Sequence, residues 1–200
     1  MDLGKAYAKA TTNAAPQAAQ CADPFHVVAL ANTAIDTTRR WAWNLQRAEG
    51  TKASAAWVKH TRWALVKDPA DLKPSQRQVL DQLRRQRSVL HRAWQLKEAL
   101  RDLYRLADPA DAPALLEAWL AWACRSRIPA FVKLSRTVRR ERERILAAIE
   151  LGLSNSKLEG LNSKVRLINH RGYGHHTPAA LIAMIYLCCG GITLDLPTKP

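Results

Sequence analysis

Ser154-Asn155-Ser156-Lys157-Leu158-Glu159-Gly160-Leu161-Asn162-Ser163-Lys164-Val165-Arg166-Leu167-Ile168-Asn169 is the stretch that decides how the chain is read. Leu158, Leu161, Val165 and Ile168 recur at spacings of 3, 4 and 3 residues, which predicts a helix with one buried apolar stripe. Glu159, Asn162, Ser163, Arg166 and Asn169 fall on another face of that helix. A lone acid followed by an amide and a guanidinium, one and two turns on, suits a metal-bound phosphate. The carboxylate would hold Mg²⁺, and the Arg and amides would hold phosphate oxygens. By periodicity alone, an ordinary amphipathic helix with a solvated polar face satisfies the pattern more simply. Ser154 or Asn155 is the expected N-cap.

Downstream, His170-Arg171-Gly172-Tyr173-Gly174-His175-His176 reads as a flexible basic loop. No cysteine or acid lies close to its histidines in sequence, so contact with a nucleic-acid backbone is a better expectation than zinc. The apolar run from Ala179 to Ile192 is too short to cross a bilayer and predicts a buried helix ending at Gly190-Gly191.

Upstream, residues Gly4 to Ala15 predict a helix stopped by Pro16, and Ala18 to Ala22 a short strand. Asp23 then stands as an N-cap before Pro24, a residue favoured in a helix's first turn. That helix is expected to run to about Arg47, burying Val27, Leu30, Ala31, Ala34 and Ile35. From Trp41 to Ile149 the periodicity is helical almost throughout. One long helix is expected from Ser75 to Asp108-Pro109, a second around Leu115 to Ala123, and a third from Phe131. The third continues through Arg139-Arg140-Glu141-Arg142-Glu143-Arg144, whose mixed signs suit a solvated face. Tryptophans at 41, 43, 57, 63, 94, 119 and 122 are expected mainly in the core, although exposed rings could also stack on bases.

Charge narrows the partner class. There are 31 Lys plus Arg against 17 Asp plus Glu, a net of +14 and a pI near 10.2. Such a chain is best neutralised by a polyanion, so nucleic acid leads. With 48% apolar residues it can build a core, which argues against global disorder. Cys21, Cys124, Cys188 and Cys189 form no CxxC pair. A disulfide framework and a zinc cage are therefore not expected, and a reducing cytoplasm fits. The first residues carry no apolar signal core.

The motifs also resemble a known family. Asn155-x-x-x-Glu159-Gly160-x-Asn162-Ser163-Lys164-x-Arg166, followed by Arg171-Gly172-Tyr173-Gly174, is similar to the catalytic-glutamate region of DDE transposases of the ISL3 insertion-sequence family. Asp2-x-x-Lys5-x-Tyr7, then Pro16-x-Ala18, then Asp23-Pro24-Phe25-His26-Val27-Val28, resembles the family's second-aspartate block and its Asp-x-x-His signature. Arg62-Trp63-Ala64-Leu65 and the leucine-rich helix after it fit the same order, so the resemblance covers essentially the whole chain.

The resemblance implies a ribonuclease-H-like core in which three carboxylates bind two Mg²⁺ ions for phosphodiester cleavage and strand transfer. Asp2 would be the second carboxylate and Glu159 the helix-borne third, both metal ligands. Asp23 and His26 form the accessory signature, Asp23 as helix cap and His26 as an orienting group. Asn162, Lys164, Arg166 and Arg171 would contact DNA. The expected organisation is a core remnant over residues 1–40, a helical insertion over 41–150, and a catalytic-glutamate helix with a C-terminal core helix over 151–200. The expected fold class is mainly α, with at most one or two short strands left from the incomplete ribonuclease-H-like sheet. Only one residue precedes Asp2, so the first aspartate has no counterpart here. The expectation is a truncated transposase, inactive alone, bound to DNA in a bacterial cytoplasm near the nucleoid. A homo-oligomer on DNA stays open, and no membrane association is expected. The alternative is a helical DNA- or RNA-binding protein without enzymatic activity.

Overall fold

A computed structural model describes the backbone of residues 5–153 and 156–191, with side chains from 8 and 160 onward in those stretches. The described residues are mainly helical, with no strand among them. Two compact units divide the chain, residues 1–153 and 154–200.

In the first unit, α1 (Lys5–Ala14) ends before Pro16. The expected strand at Ala18 to Ala22 is irregular chain instead. Its polar groups are satisfied without a sheet: Gln20 donates to the Ala8 carbonyl and Thr12 hydroxyl, and the Ala22 N–H donates to the Arg144 carbonyl at 2.9 Å. A run of alanines brings small side chains but little β preference, so these single bonds decide its path.

The central helix α2 (Pro24–Glu49) is long because nothing in it interrupts the apolar stripe of Val27, Ala31, Ala34, Ile35 and Ala42. Asp23 caps it, Oδ1 accepting from the Phe25 N–H, with Pro24 in the first turn. Around α2 pack α3 (Lys52–His60), α4 (Arg62–Val66), α6 (Val89–Asp102) and α8 (Pro129–Arg140). α5 (Pro74–Arg85) leans on α4 and α6, while α7 (Ala112–Arg125) joins α6 to α8. α9 (Arg142–Glu150) closes the unit against α7 and α8. Ile35, Leu96, Leu100, Leu116, Leu120 and Phe131 are fully buried at the centre. Each such side chain contributes roughly 1.5–3 kcal/mol of burial free energy.

The long helix expected from Ser75 onward is two. Arg87 turns left-handed at φ 50°, and the Ser88 N–H reaches back to the Leu83 carbonyl at 3.0 Å, a helix-ending bond. Ser88 then caps α6, its hydroxyl accepting from the Leu90 N–H. The leucine period survives the break because both helices bury the same apolar side.

The arginine-rich run also differs from expectation. Helix geometry is interrupted at Glu141, between α8 and α9, and Glu141 is only 6% exposed. Arg140 and Arg144 hold its carboxylate at 2.9 and 2.7 Å, and Arg142 reaches Glu117 of α7. Within the run only Glu141 is buried, clamped at the helix junction, while Arg139, Arg140 and Glu143 are exposed as a solvated face requires. Tryptophan burial is split. Trp119 is core and donates to the Leu96 carbonyl at 2.8 Å, and Trp43, Trp57 and Trp94 are half-buried. Trp41, Trp63 and Trp122 are exposed, contrary to the core expectation, because their helix faces meet no neighbour.

The second unit is a helical hairpin of α10 (Ser156–Arg171) and α11 (Pro178–Cys189), packed against each other. Thr177 caps α11 by accepting from the Ala180 N–H. The expected N-cap at Ser154 or Asn155 lies outside the described residues. Burial differs from expectation in both helices. Leu161 is exposed, Val165 and Ile168 are half-buried, and Ile182, Met184, Tyr186 and Leu187 of α11 are exposed. Two helices can shield only the faces they turn to each other, so the remaining apolar side has no cover.

Candidate catalytic and nucleic-acid-binding residues

Asp2 lies outside the described residues. Glu159 sits in the first turn of α10, and its side chain also lies outside them. At about 100° per residue, Asn162, Ser163, Arg166 and Asn169 share the Glu159 side of α10, and all four are exposed. Lys164 and Arg171 do not share it. They stand about 140° and 120° round the helix from Glu159 by the same helical count.

Lys164 and Arg171 instead line a pocket of about 400 Å³ between the two helices, with Leu167, His175, Met184 and Cys188 among its other wall residues. The four residues expected to contact DNA therefore form two groups, Asn162 with Arg166 and Lys164 with Arg171.

The loop between the helices explains its glycines. Gly172 ends α10, its N–H bonded to the Ile168 carbonyl at 3.0 Å. A Cβ on Gly172 would stand 2.8 Å from His175 Nε2, so the ring and backbone approach closely only with glycine there. Gly174 has φ +91°, which L side chains rarely adopt. Between them Tyr173 projects at the tip, 99% exposed. His175 turns inward, its Nε2 buried without a hydrogen-bond partner among the described residues. The expected loop began at His170, but His170 and Arg171 form the last turn of α10, and the inward turn of His175 had no sequence signal.

In the first unit, Asp23 and His26 are adjacent on α2. Asp23 is 3% exposed, and its Oδ2 lies 3.8 Å from His26 Nε2. His26 stands edge-on to Phe25, with ring centroids 5.5 Å apart. Burial, and then the Asp23 charge, push the half-buried Tyr104 phenol well above its ordinary pKa. One carboxylate thus caps a helix with one oxygen and faces the imidazole with the other.

Sequence reading missed a second polar cluster, because its residues sit among the leucines of α6. Lys97 is wholly buried, and its Nζ donates to the carbonyls of Val66 and Lys67, 3.2 Å each. Glu98 Oε1 lies 2.5 Å from that Nζ, and Oε2 accepts from Arg101 at 2.8 Å. Arg101 and Arg105 both reach Asp68. Burial lowers the Lys97 pKa despite the hydrogen bond from its ammonium to Glu98, and burial raises that of Glu98 despite Lys97. The cluster stitches the end of α4 to α6. Among the described residues, no three His, Cys, Asp or Glu side chains converge as a metal site.

Comparison with known proteins fixes the family. A family model for transposases, of the DDE and ISL3 group, matches residues 1–185. The chain belongs to that transposase family. It is 38% identical over 211 residues to the transposase for insertion sequence element IS1557 of Mycobacterium tuberculosis, covering 96% of this chain and 47% of that protein. It is 28% identical over 176 residues to the transposase for IS1001 of Bordetella parapertussis, covering 88% of this chain and 43% of that one. The chain thus spans about half the length of these curated relatives. No solved structure matches it. No helix among the described residues is long and apolar enough to cross a membrane.

Proposed function

We propose that this chain is the part of a DDE transposase that carries the catalytic glutamate and grips DNA. The observation that carries the reading is α10: Glu159 opens a helix on which Asn162, Lys164, Arg166 and Arg171 are all exposed. A carboxylate beside exposed amides and cations can hold a phosphate and the metal bound to it. In this reading Asp2 and Glu159 are metal ligands, and Asp23 with His26 is the accessory pair. Hard carboxylate oxygens suit Mg²⁺, which would stabilise charge on the oxygens of the scissile phosphate. The chain's own side chains do the rest. Arg166 and Asn162 hold phosphate oxygens on the glutamate side, and Lys164 and Arg171 hold backbone phosphates on the other.

The division of the chain is part of the same proposal: residues 1–40 belong to a ribonuclease-H-like core, 41–150 form a helical insertion, and 151–200 return to the core. The exposed apolar sides of α10 and α11 support this, since such sides need a further layer over them. DNA is the partner, and the setting is the bacterial cytoplasm. Two carboxylates do not clamp two ions, so the 200-residue chain by itself binds DNA without cutting it.

The test is binding of duplex DNA across a salt series. Net +14 predicts an affinity that falls steeply and log-linearly with salt. A flat response between low and moderate salt would remove the DNA-gripping reading. The same titration with Glu159→Gln and added Mg²⁺ reads the acid: the metal should strengthen phosphate binding by the parent chain and not by the variant.

A further inference from the structure

We propose that a slot between the middle of α2, the start of α6 and the α7–α8 turn receives an unpaired DNA base; this rests on the DNA-binding reading above. The slot has a volume of about 340 Å³. Trp41 forms one wall and is 55% exposed, unusual for so large an apolar ring with no partner helix over it. Val89, Ile128 and Pro129 supply further apolar lining. Thr37 and Thr38 complete it, and each hydroxyl already donates to a carbonyl of its own helix, Thr33 at 2.8 Å and Ala34 at 2.9 Å. With their protons committed, these hydroxyls can act toward an occupant only as acceptors, matched to the exocyclic amino groups of bases.

Charge selects the occupant. Arg127 is at the slot, and Arg87, Arg125 and Lys133 lie within three residues of its lining. All four are exposed, and none makes an ion pair among the described residues. The nearest acid in sequence, Asp36, is held by Arg39 and Arg40 at 2.7 Å each. Arg87 and Arg127 both have left-handed backbone, at φ 50° and 59°, so each sits on a tight turn, Arg127 in the slot's lining and Arg87 two residues before Val89. An apolar slot walled by an indole, with the exposed Arg127 in its lining and further exposed cations close to it in sequence, fits a flat ring carried on a phosphate backbone. A paired base hides both its faces in the duplex stack, so the occupant is an unpaired one. All the residues of this slot belong to the first unit, and none to the Glu159 helix.

Fluorescence anisotropy tests this with three labelled probes: a short duplex, the same duplex with one extrahelical adenine, and the single strand. The parent chain should bind the unpaired forms more tightly than the duplex. Trp41→Ala should weaken binding of the unpaired forms about 5- to 150-fold, the range of one lost base–aromatic stack. It should leave duplex binding unchanged, and Trp41→Phe should keep the preference. Trp63→Ala is the control, since that exposed ring lies outside the slot and carries Arg62 over its face. With 2-aminopurine as the extrahelical base, its emission should be quenched by the parent chain and not by Trp41→Ala. Retention of preference and quench in Trp41→Ala overturns the proposal. So does tighter binding of an RNA strand of the same sequence, which would assign the slot to RNA. Absence of duplex binding by the parent chain would instead count against the DNA-binding reading itself.

Discussion

Lys97 Nζ donates to the carbonyl oxygen of Val66, 31 residues earlier and 3.2 Å away, so a wholly buried ammonium closes the end of α4 from within α6. The Glu98 carboxylate balances that charge. Lys97→Ala leaves Glu98 buried and less compensated, and should cost about 3–5 kcal/mol of unfolding free energy. Lys97→Met with Glu98→Gln, which removes both charges, should recover much of the loss. Urea unfolding of the two variants checks this. A double variant as unstable as Lys97→Ala would show that the carbonyl contacts, not charge balance, dominate.

The same unit should lose stability in acid. The Asp36 carboxyl is raised by burial but lowered more by hydrogen bonds from Arg39 and Arg40 and by their charges, so its folded pKa lies below 3.8. A depressed folded value contributes stability above the unfolded value that is lost as pH falls through the folded one. Asp68 adds to the same loss, through its bond from the Ala70 N–H against some burial, and through Arg105. Glu98 acts oppositely, because its raised folded value makes stability rise as pH falls through that value towards 4.5. Asp36→Asn should cost about 1–2 kcal/mol at neutral pH, as charged hydrogen bonds do. It should also flatten the loss below pH 3.8. Unfolding curves across pH measure both.

The Lys97 cluster also shows where sequence reading stops. α2 was legible in full: Asp23-Pro24 marked its start, and Val27, Ala31, Ala34 and Ile35 marked its buried side. The break at Arg87 was hidden because the leucine period runs through it, and only Ser88 signals a new cap. Lys97 and Glu141 look like surface charges in a one-dimensional pattern, since burial depends on partners far along the chain. The candidate site was legible as a helix and a loop, because Glu159, Arg166 and the two glycines have local signatures. The separation of Lys164 and Arg171 from the Glu159 side follows from helical geometry, but their shared pocket with Met184 and Cys188 required α11 to be in place.

The loop after α10 should be sensitive to its second glycine. Gly174 holds φ +91°, where any L side chain is strained. Gly174→Ala should cost the hairpin about 1–2 kcal/mol, in line with the penalty for left-handed backbone. Hydrogen exchange at the Ala180 amide, which bonds the Thr177 cap, should speed up accordingly. Unchanged protection would mean that the turn re-forms with a different backbone.

Arg166 and Lys164 should differ in what they do for DNA. Each contacts phosphate in the proposed reading, so alanine at either should weaken duplex binding and lower the salt slope by about 1. Only Arg166 shares the Glu159 side of α10. Arg166→Ala should therefore also remove the Mg²⁺-dependent gain in binding, while Lys164→Ala should keep it. Equal loss of that gain in both variants would argue against two separate phosphate contacts.

Strand cleavage is the sharpest test of the catalytic assignment. Two-metal phosphodiester chemistry needs both ions fixed on either side of the scissile phosphate. In the proposed reading Asp2 and Glu159 take that task, and no residue of this stretch is proposed as the first aspartate. Asp23 is a poor substitute, because it is buried with one oxygen bound to the Phe25 N–H and the other turned to His26. Glu98 and Glu141 are equally committed, to Lys97 and Arg101 and to Arg140 and Arg144. The expected outcome is salt-sensitive DNA binding by the 200-residue chain without nicking in Mg²⁺ or Mn²⁺. A form extended upstream to include a first aspartate should nick, and Glu159→Gln in that form should abolish it. Robust nicking by the 200-residue chain itself, lost in Glu159→Gln, would show that another acid completes the site, and Asp2→Asn and Asp23→Asn would then identify which carboxylates take part.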